Sequence, residues 1–344
     1  MTAAQRKNSF NNETSNDEFL AFIYQTISEG IDHFAYWHTY IAETALMYAA
    51  EAGRLDIVKT LITKGADVNA IDAMGRSALS FAAANGNKAV VELLLKNNAT
   101  INATGKAPAL GTALGVAAAE NREDIVNALL AHGGMPTQDD LTRAAWGGNL
   151  NIIQSFLDHG TVADSAALAE AAWGGHKEAA ELLLANGSIA DGNSLAFAAR
   201  AGQLEIAELL LKNHAPVNVL TKAPYDSTPL LEAAGTGNKT MIKLLLDNGA
   251  DINLPDSAGN TALMAAADSG KEGIIQFLLE NGADPAQQNK AGVTALDTVR
   301  RYITYWPDSA LLKDAAAALE KWSKSPVIKR AHASPQKRAA QLKL

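Results

Sequence analysis

The sequence contains no cysteine among its 344 residues. This absence excludes disulfide bonds, thiolate nucleophiles and the common cysteine-ligated zinc sites. Aromatic residues make up only 6% of the chain, and no apolar run approaches the length of a transmembrane helix. Residues 1–17 are polar and lack the basic start and apolar stretch of a secretory signal, so the sequence predicts a cytoplasmic protein.

Residue sets typical of an active site are also missing. Residues 235–240 contain the letters of a phosphate-binding loop but lack its glycine spacing, and no strand precedes them. His132 and His159 each precede a helix-ending glycine, where an imidazole is expected to bond the last carbonyls of a helix. We therefore expect no catalytic residue, no cofactor and no metal ligand, and we predict that the protein is not an enzyme.

A leucine followed three positions later by alanine, or by valine in the last case, recurs along the chain. Successive leucines are separated by 33, 35, 27, 27, 27, 35, 33 and 33 residues. A period in this range indicates a solenoid, in which neighbouring units bury one another's apolar faces. The repeat leucines are Leu46, Leu79, Leu114, Leu141, Leu168, Leu195, Leu230, Leu263 and Leu296.

One unit shows how each repeat is expected to fold. Residues 43–53 predict a short, alanine-rich helix, which allows neighbouring backbones to approach closely. Residues 54–65 predict a second helix, because Ile57 and Leu61 belong to one apolar stripe at helical spacing. Residues 66–75 read as a loop. Neither helix buries its stripe alone, so the units are expected to stack.

Two further rows of residues mark where the helices end. Glycine, asparagine and histidine adopt the left-handed conformation that commonly terminates a helix. After the second helices these residues are Gly65, Asn98, Gly133, Gly160, Gly187, His214, Gly249 and Gly282. Between the two helices of a unit they are Gly53, Gly86, Asn121, Gly148, Gly175, Gly202, Gly237 and Gly270.

These features resemble the ankyrin repeat family, whose unit is a β-turn plus two helices with a Thr-Pro-Leu-His-x-Ala signature. The resemblance covers about nine repeats within residues 43–320 and includes Gly-Ala-Asp-x-Asn strings at residues 65–69 and 249–253. Only residues 228–230 keep Thr-Pro-Leu, and no unit has the histidine that braces neighbouring repeats. The resemblance implies an all-α solenoid of helix-turn-helix units with β-hairpin loops, and a role in binding other proteins.

The central repeats depart from this pattern. Three successive units of 27 residues lack the hairpin loop that joins one repeat to the next. A unit of 35 residues flanks them on either side, and both long units contain Lys-Ala-Pro, at residues 106–108 and 222–224. Long hairpins beside short ones predict a notch on the concave side of the solenoid.

Two tryptophans, Trp146 and Trp173, follow the paired alanines in these short units. In the ankyrin family that position tends to face the concave groove, so both rings are interpreted as a partner-binding hot spot. The alternative is that each ring only covers the adjacent glycines. Other residues predicted on the same face are Glu51, Glu120, Arg143, Glu170, Phe197, Arg200, Glu232 and Asp268. The simplest role for Arg143 and Glu170 is a surface ion pair.

Charge is divided unevenly along the chain. Residues 321–344 contain seven basic residues and no acidic one, whereas the whole chain carries −8, which leaves −15 on residues 1–320. This division predicts an acidic groove that captures a basic, partly apolar protein, as an inhibitor, an immunity protein or an adaptor would. The alternative is a secreted effector whose repeats dock on host proteins. No small-molecule substrate and no membrane are expected, and nucleic acid is a candidate only for the basic tail.

The sequence thus predicts four segments. Residues 1–17 are expected to be disordered, and the aromatic-rich residues 18–42 to form a helical cap, since an end repeat exposes the apolar side that internal repeats bury. Residues 43–320 form the repeat array, in which residues 296–319 are expected to act as the second cap. Residues 321–344 are a basic, solvated tail.

Overall fold

The computed structural model describes residues 45–72, 74–102, 111–221 and 226–324. The chain divides between Val162 and Ala163 into two compact units. Within the described ranges no residue belongs to a β-strand, and an isolated β-bridge joins Ile71 to Ser77. Both units consist of helix pairs, which confirms the predicted all-α class. None of the described helices is both long enough and apolar enough to cross a membrane.

Several predicted features fall outside the described residues. They include the N-terminal segments at residues 1–17 and 18–42, and the tail from residue 325 onward. The Lys-Ala-Pro sequences of the two long hairpins, at residues 106–108 and 222–224, lie outside them as well.

The first unit contains four helix pairs, each a first helix, a short turn and a second helix. They are α1 (Ala45–Glu51) with α2 (Leu55–Thr63), α3 (Ala78–Ala84) with α4 (Lys88–Lys96), α5 (Ala113–Ala119) with α6 (Glu123–Ala131), and α7 (Gln138–Gly147) with α8 (Leu150–Asp158).

The second unit contains five such pairs. They are α9 (Ser165–Gly174) with α10 (Lys177–Ala185), α11 (Gly192–Ala201) with α12 (Leu204–Lys212), α13 (Pro229–Thr236) with α14 (Lys239–Asp247), α15 (Ala262–Asp268) with α16 (Glu272–Glu280), and α17 (Ala295–Tyr305) with α18 (Ala310–Ser323).

First helices pack against first helices along each unit. In the first unit α1, α3, α5 and α7 contact one another in that order, and in the second unit α9, α11, α13, α15 and α17 do the same. The repeat leucines and the paired alanines lie at these contacts, and Leu46, Ala49 and Ala50 are at most 1% exposed. Burial of a leucine side chain contributes about 1.5–3 kcal/mol. Each pair is therefore stabilised mainly by its neighbours, as expected for a repeat array.

The predicted helix ends are confirmed. All sixteen residues assigned to left-handed positions have a positive φ, among them Asn98 at 61°, Asn121 at 56° and His214 at 64°. Asparagine and histidine tolerate this region better than most residues other than glycine. The left-handed residue terminates each helix and starts the next turn, so the register read from the sequence is the register of the fold.

His132 and His159 also act at helix ends as predicted. The Nδ1 of His132 donates a hydrogen bond of 2.9 Å to the carbonyl of Ala128. The Nδ1 of His159 donates one of 2.7 Å to the carbonyl of Ser155. Each imidazole therefore satisfies one of the carbonyls that the end of a helix leaves without a backbone partner.

Asparagine side chains brace neighbouring repeats in place of the absent histidine. The Nδ2 of Asn87 donates to the carbonyls of Ala50 and Glu51, both at 2.8 Å. The Nδ2 of Asn121 donates to the carbonyl of Gly147 at 2.7 Å. These bonds join a turn to the end of a neighbouring first helix, so they fix the spacing between repeats and satisfy carbonyls at a helix end.

The hairpin loops contribute a second type of brace. In one hairpin the backbone N–H of Asp256 donates to the carbonyl of Asn260 at 2.8 Å. Asn253, at the base of this loop, accepts from the N–H of Asp284 at 2.8 Å and donates to the carbonyl of Gly282 at 3.4 Å. One amide side chain thus serves as acceptor and donor to the following repeat.

In the short repeats the first helix is longer and takes the place of the missing hairpin, which confirms the predicted shortening of the loops between these repeats. Helices α7, α9 and α11 have ten residues each, whereas α1, α3 and α5 have seven. Gln138, in the first turn of α7, donates to the carbonyl of Val162 at 2.8 Å and accepts from its N–H at 3.3 Å. The lengthened helix thereby supplies the two-way amide brace that a hairpin asparagine supplies elsewhere.

A fully buried carboxylate connects α5 and α7. Asp140 accepts hydrogen bonds from the hydroxyl and the N–H of Thr137, at 2.8 and 2.7 Å, and from the hydroxyl of Thr112 at 2.7 Å. Gly115 of α5 leaves the space for it, because a Cβ at that position would lie 2.4 Å from Oδ1 of Asp140. Three donors offset the cost of burying this group.

The last helix pair forms the end of the described array. Leu312, Ala315 and Leu319 of α18 are buried, and α18 packs against α16 and α17. Leu296 is partly exposed, unlike the other repeat leucines. Helix α18 continues to Ser323, three residues into the segment assigned to the basic tail.

Candidate functional site

In each unit, two rows of residues share a face of the first helices. They lie two and five positions after each repeat leucine, and residues three apart on a helix share a face. We refer to these two rows as the inner face. Arg143, Glu170, Phe197 and Glu232 belong to the row two positions after the leucine, and Trp146, Trp173, Arg200 and Asp268 belong to the row five positions after it. Glu51 belongs to the second row, and Glu120 follows that row by one position, at the end of α5.

In the second unit the structure brings four of the predicted residues together. The rings of Trp173 and Phe197 meet edge to face, with centroids 5.6 Å apart and planes at 85°. The guanidinium carbon of Arg200 lies 5.3 Å from the centroid of the Trp173 ring. The Nε of Arg200 is 3.8 Å from a carboxylate oxygen of Glu232. Trp173 is thereby held half-buried between a ring and a cation, each of which contributes on the order of 1 kcal/mol.

An opening follows this cluster at Gly235, the next residue of the second row. A Cβ at Gly235 would meet no other atom within 4 Å. The side-chain row is therefore interrupted between Arg200 on α11 and Asp268 on α15. Glu232 lies one helical turn before Gly235 on α13, so a carboxylate accompanies the opening.

Asp268 joins two residues that the sequence analysis did not select. One of its carboxylate oxygens lies 3.4 Å from Nη2 of Arg301 and accepts a hydrogen bond of 3.0 Å from the hydroxyl of Tyr302. Arg301 also lies over the Tyr302 ring, with its guanidinium carbon 5.4 Å from the centroid. Arg301 is five positions after Leu296, so it occupies the second row of the inner face in the last unit, which the sequence predicts to be a cap.

In the first unit, Trp146 on α7 is the most exposed of the predicted aromatic residues. Its side chain is 44% exposed. The Nε of Arg143, one turn earlier, donates to Asp139 at 2.9 Å, and the Arg143 side chain is 24% exposed. Glu120 is exposed at the end of α5. Trp146 and Trp173 belong to different compact units, and each is described within its own.

The electrostatic character of the inner face differs from a simple acidic strip. In the second unit it carries the carboxylates of Glu170, Glu232 and Asp268 and the guanidinium groups of Arg200 and Arg301. Two of these carboxylates each contact an arginine, so part of the negative charge is balanced within the face. The inner face therefore presents aromatic and guanidinium planes beside carboxylates.

A different ion pair lies on the second helices. The Nζ of Lys177 donates to Glu205 at 2.8 Å and joins α10 to α12. This hydrogen bond, with the attraction between the charges, raises the pKa of Lys177 and lowers the pKa of Glu205. Both groups are exposed, so the pair is not part of the candidate site and its effect on stability is small.

Comparison with known protein families accounts for this arrangement. A family model described as ankyrin repeats, in three copies, matches residues 19–105, 46–140, 141–221 and 195–289. The matches include every predicted site residue, and they begin inside the segment assigned to the N-terminal cap. No curated protein matches the chain. Ankyrin repeats are generally non-enzymatic scaffolds for protein–protein interaction. The chain belongs to the ankyrin repeat family, and it is an all-α solenoid with the repeats of a protein-binding module.

Proposed function

We propose that the inner face captures a basic, partly apolar partner protein, and that the chain acts through this capture as an inhibitor, an immunity protein or an adaptor. The formal charge of −15 on residues 1–320 supports a basic partner, because charge of one sign steers the approach of the other. Catalysis has no part in the proposal.

The cluster of Trp173, Phe197 and Arg200 carries the proposal. Tryptophan and arginine are enriched among the residues that dominate binding energy at interfaces. Here Phe197 and Arg200 hold the Trp173 ring in one orientation, so little rotamer freedom remains to be lost when a partner binds. The cluster is therefore an anchor that exists before the partner arrives.

The opening at Gly235 supports the kind of partner proposed. A long side chain entering it would lie between Arg200 and Asp268, near the carboxylate of Glu232. A lysine or arginine of the partner suits this place, since it can share Glu232 or Asp268 with the arginines that contact them now. Its aliphatic stem would pack against the exposed backbone of α13.

The experiment starts from capture by the intact chain. The chain is immobilised, incubated with lysate of its source organism, and the retained proteins are identified by mass spectrometry. We expect a retained protein with a basic surface. Its affinity is then measured by calorimetry for the chain and for Trp146→Ala, Trp173→Ala and the double variant. A hot-spot residue contributes about 2 kcal/mol or more, so each single variant should weaken binding by at least about 30-fold.

Trp322 provides the matched control. It lies on the second helix α18 and outside the inner face, so Trp322→Ala removes the same side chain from another surface. Its affinity should equal that of the unchanged chain. Far-UV circular dichroism and melting temperature of all variants verify that the repeats remain folded. The proposal is wrong if the double tryptophan variant, still folded, binds the captured protein as tightly as the unchanged chain does.

An activity measurement on the captured protein separates the three roles. An inhibitor or immunity protein lowers the activity of its partner in proportion to occupancy of the inner face, and Trp173→Ala relieves that effect. An adaptor leaves the activity unchanged and retains a third protein together with the first.

A further inference from the structure

The turn between α17 and α18 carries aromatic side chains that do not fill a core. Tyr305 is 70% exposed and Trp306 is 58% exposed, although the sequence assigns this region to a cap that should cover apolar surface. Leu311, at the start of α18, is 62% exposed. We call residues 305–308 the aromatic turn. Exposed apolar residues that cluster in this way are typical of an interaction site, whereas single ones are not.

The aromatic turn has a fixed geometry. Helix α17 ends where the N–H of Trp306 donates to the carbonyl of Tyr302 at 2.9 Å, and Pro307 prevents its continuation. The N–H of Ser309 then donates to the carbonyl of Trp306 at 3.2 Å, and the Ser309 hydroxyl accepts from the N–H of Leu312 at 3.4 Å, which caps α18. The rings are therefore mounted on a bonded turn between two helices.

The rings form a corner that opens to solvent. Trp306 stacks on Tyr302 with centroids 5.7 Å apart and planes at 26°. Tyr305 stands beside it at 6.1 Å, with its plane tilted by 60°. A shallow groove of about 500 Å³ runs along this corner, lined by Tyr305, Trp306, Pro307, Asp308, Ser309 and Leu312.

The charges around the corner indicate what it binds. Asp308 is exposed, and among the described residues no cation pairs with its carboxylate. The nearby guanidinium of Arg301 lies over the ring of Tyr302 and contacts Asp268, so a cation already packs on the neighbouring aromatic ring. Two tilted aromatic faces with an adjacent free carboxylate are complementary to a lysine or arginine side chain.

We propose that the aromatic turn is a second docking surface, on which an exposed arginine or lysine of the partner protein packs against the exposed faces of Tyr305 and Trp306 with Asp308 as counter-ion. It rests on the proposed function only in taking the partner to be basic. The groove along Pro307 and Leu312 accepts the aliphatic stem of the bound side chain. The docking surface belongs entirely to the second unit and shares no residue with the Trp173 cluster.

The test uses the full chain and two small probes. Acetyl-Ala-Arg-Ala-amide is compared with the same peptide carrying citrulline, which has the shape of arginine but no charge. Binding is followed through the indole N–H resonance of Trp306, which is assigned by its loss in Trp306→Phe. We expect saturable shifts with the arginine peptide and at least about threefold weaker binding of the citrulline peptide, as a cation–π contact of about 0.7 kcal/mol requires.

Variants of the aromatic turn distinguish this binding from nonspecific hydrophobic binding of the peptide. Tyr305→Ser and Asp308→Asn should each weaken binding of the arginine peptide by at least about threefold. Each should also reduce the preference of the protein for the arginine peptide over the citrulline peptide. Leu220→Ala removes another exposed apolar side chain, 49% exposed, and should change nothing. All three side chains are exposed, so the fold is expected to tolerate the changes, and circular dichroism verifies it.

Three results would overturn the proposal. The first is equal affinity for the arginine and citrulline peptides. The second is an affinity for the arginine peptide that neither Asp308→Asn nor Tyr305→Ser changes. The third is a Trp306 resonance that shifts with protein concentration but not with added peptide. The last result would assign the turn to contact with a second copy of the chain. Because the assay contains no native partner, its failure leaves the test of the inner face unaffected, and failure of that test leaves this one unaffected.

Discussion

Replacing Gly115 with alanine should destabilise the first unit, although alanine is the better helix former. Gly115 lies inside α5, where the exchange would favour the helix by about 1 kcal/mol. The new methyl group, however, would lie 2.4 Å from Oδ1 of Asp140 and 2.8 Å from Cδ of Arg143. Ordinary contacts begin near 3.4 Å, so the carboxylate has to move.

The cost of that movement follows from the contacts of Asp140. Its Oδ1 accepts from the hydroxyl of Thr112 at 2.7 Å, and its side chain is fully buried, so a displaced oxygen finds no water in exchange. Loss of a hydrogen bond to a charged group costs about 1.5–3 kcal/mol, and overpacking costs about 1–3 kcal/mol. After the helix propensity is subtracted, Gly115→Ala should destabilise by about 1.5–5 kcal/mol.

Gly235→Ala is the matched control, because Gly235 also lies in a first helix but has no atom within 4 Å of its Cβ position. It should leave the urea midpoint unchanged or raise it, with a gain of up to about 1 kcal/mol. Midpoints are followed by circular dichroism, since a repeat array need not unfold in one step. In a variant that already carries Asp140→Ala, the destabilisation caused by Gly115→Ala should largely disappear, because the carboxylate that the methyl group meets is gone. An unchanged or higher midpoint for Gly115→Ala in the native background would refute the reasoning.

Three further outcomes are expected. His214→Gly should raise the melting temperature by relieving a φ of 64°, a gain of about 1 kcal/mol, and a lower melting temperature would contradict this. The hydroxyl and N–H of Thr294 donate to Asp297 and lower its pKa. This carboxylate therefore stabilises the fold above its ordinary pKa of 3.8 and ceases to do so as the pH falls through the lowered value. Thr294→Ala should raise the pKa of Asp297 in an NMR titration. Gly235→Trp should weaken partner capture by filling the opening, while circular dichroism stays unchanged.

Local features of the fold were predictable from the sequence because they depend on single residues. The left-handed positions are one example, since glycine, asparagine or histidine at a fixed distance from the repeat leucine determines where a helix ends. The shortened central loops are another, because the length of chain between two leucines limits what can join them. For Arg143 the sequence predicted an ion pair with Glu170, whereas its Nε bonds Asp139, four positions earlier on the same helix.

The braces between repeats were not predictable in the same way. The bond between Thr112 and Asp140 joins residues 28 positions apart and exists only because Gly115 leaves room for it. The sequence shows the missing histidine, but it does not show which side chains replace it. Asn87 and Asn121 do so through side-chain amides whose reach depends on the spacing of packed helices.

The sequence predicted which row each residue of the candidate site belongs to, but not which side chains contact one another. The position after the paired alanines places Trp173 and Arg200 on the inner face, whereas the edge-to-face ring and the stacked guanidinium depend on how α9 and α11 pack. Arg301 and Tyr302 were missed for another reason. The last unit keeps the repeat register, but its longer second helix and its aromatic residues are typical of a cap and hide the inner-face pattern in the sequence.

The separation between core and inner face explains how this array combines stability with a specific surface. In the second unit the paired alanines next to the inner face are fully buried, and they remain alanine in four successive first helices. The adjoining position changes from Trp173 to Arg200, Gly235 and Asp268 over the same helices. Because stability is a sum of interfaces made by the buried positions, the exposed row is free to vary with the partner.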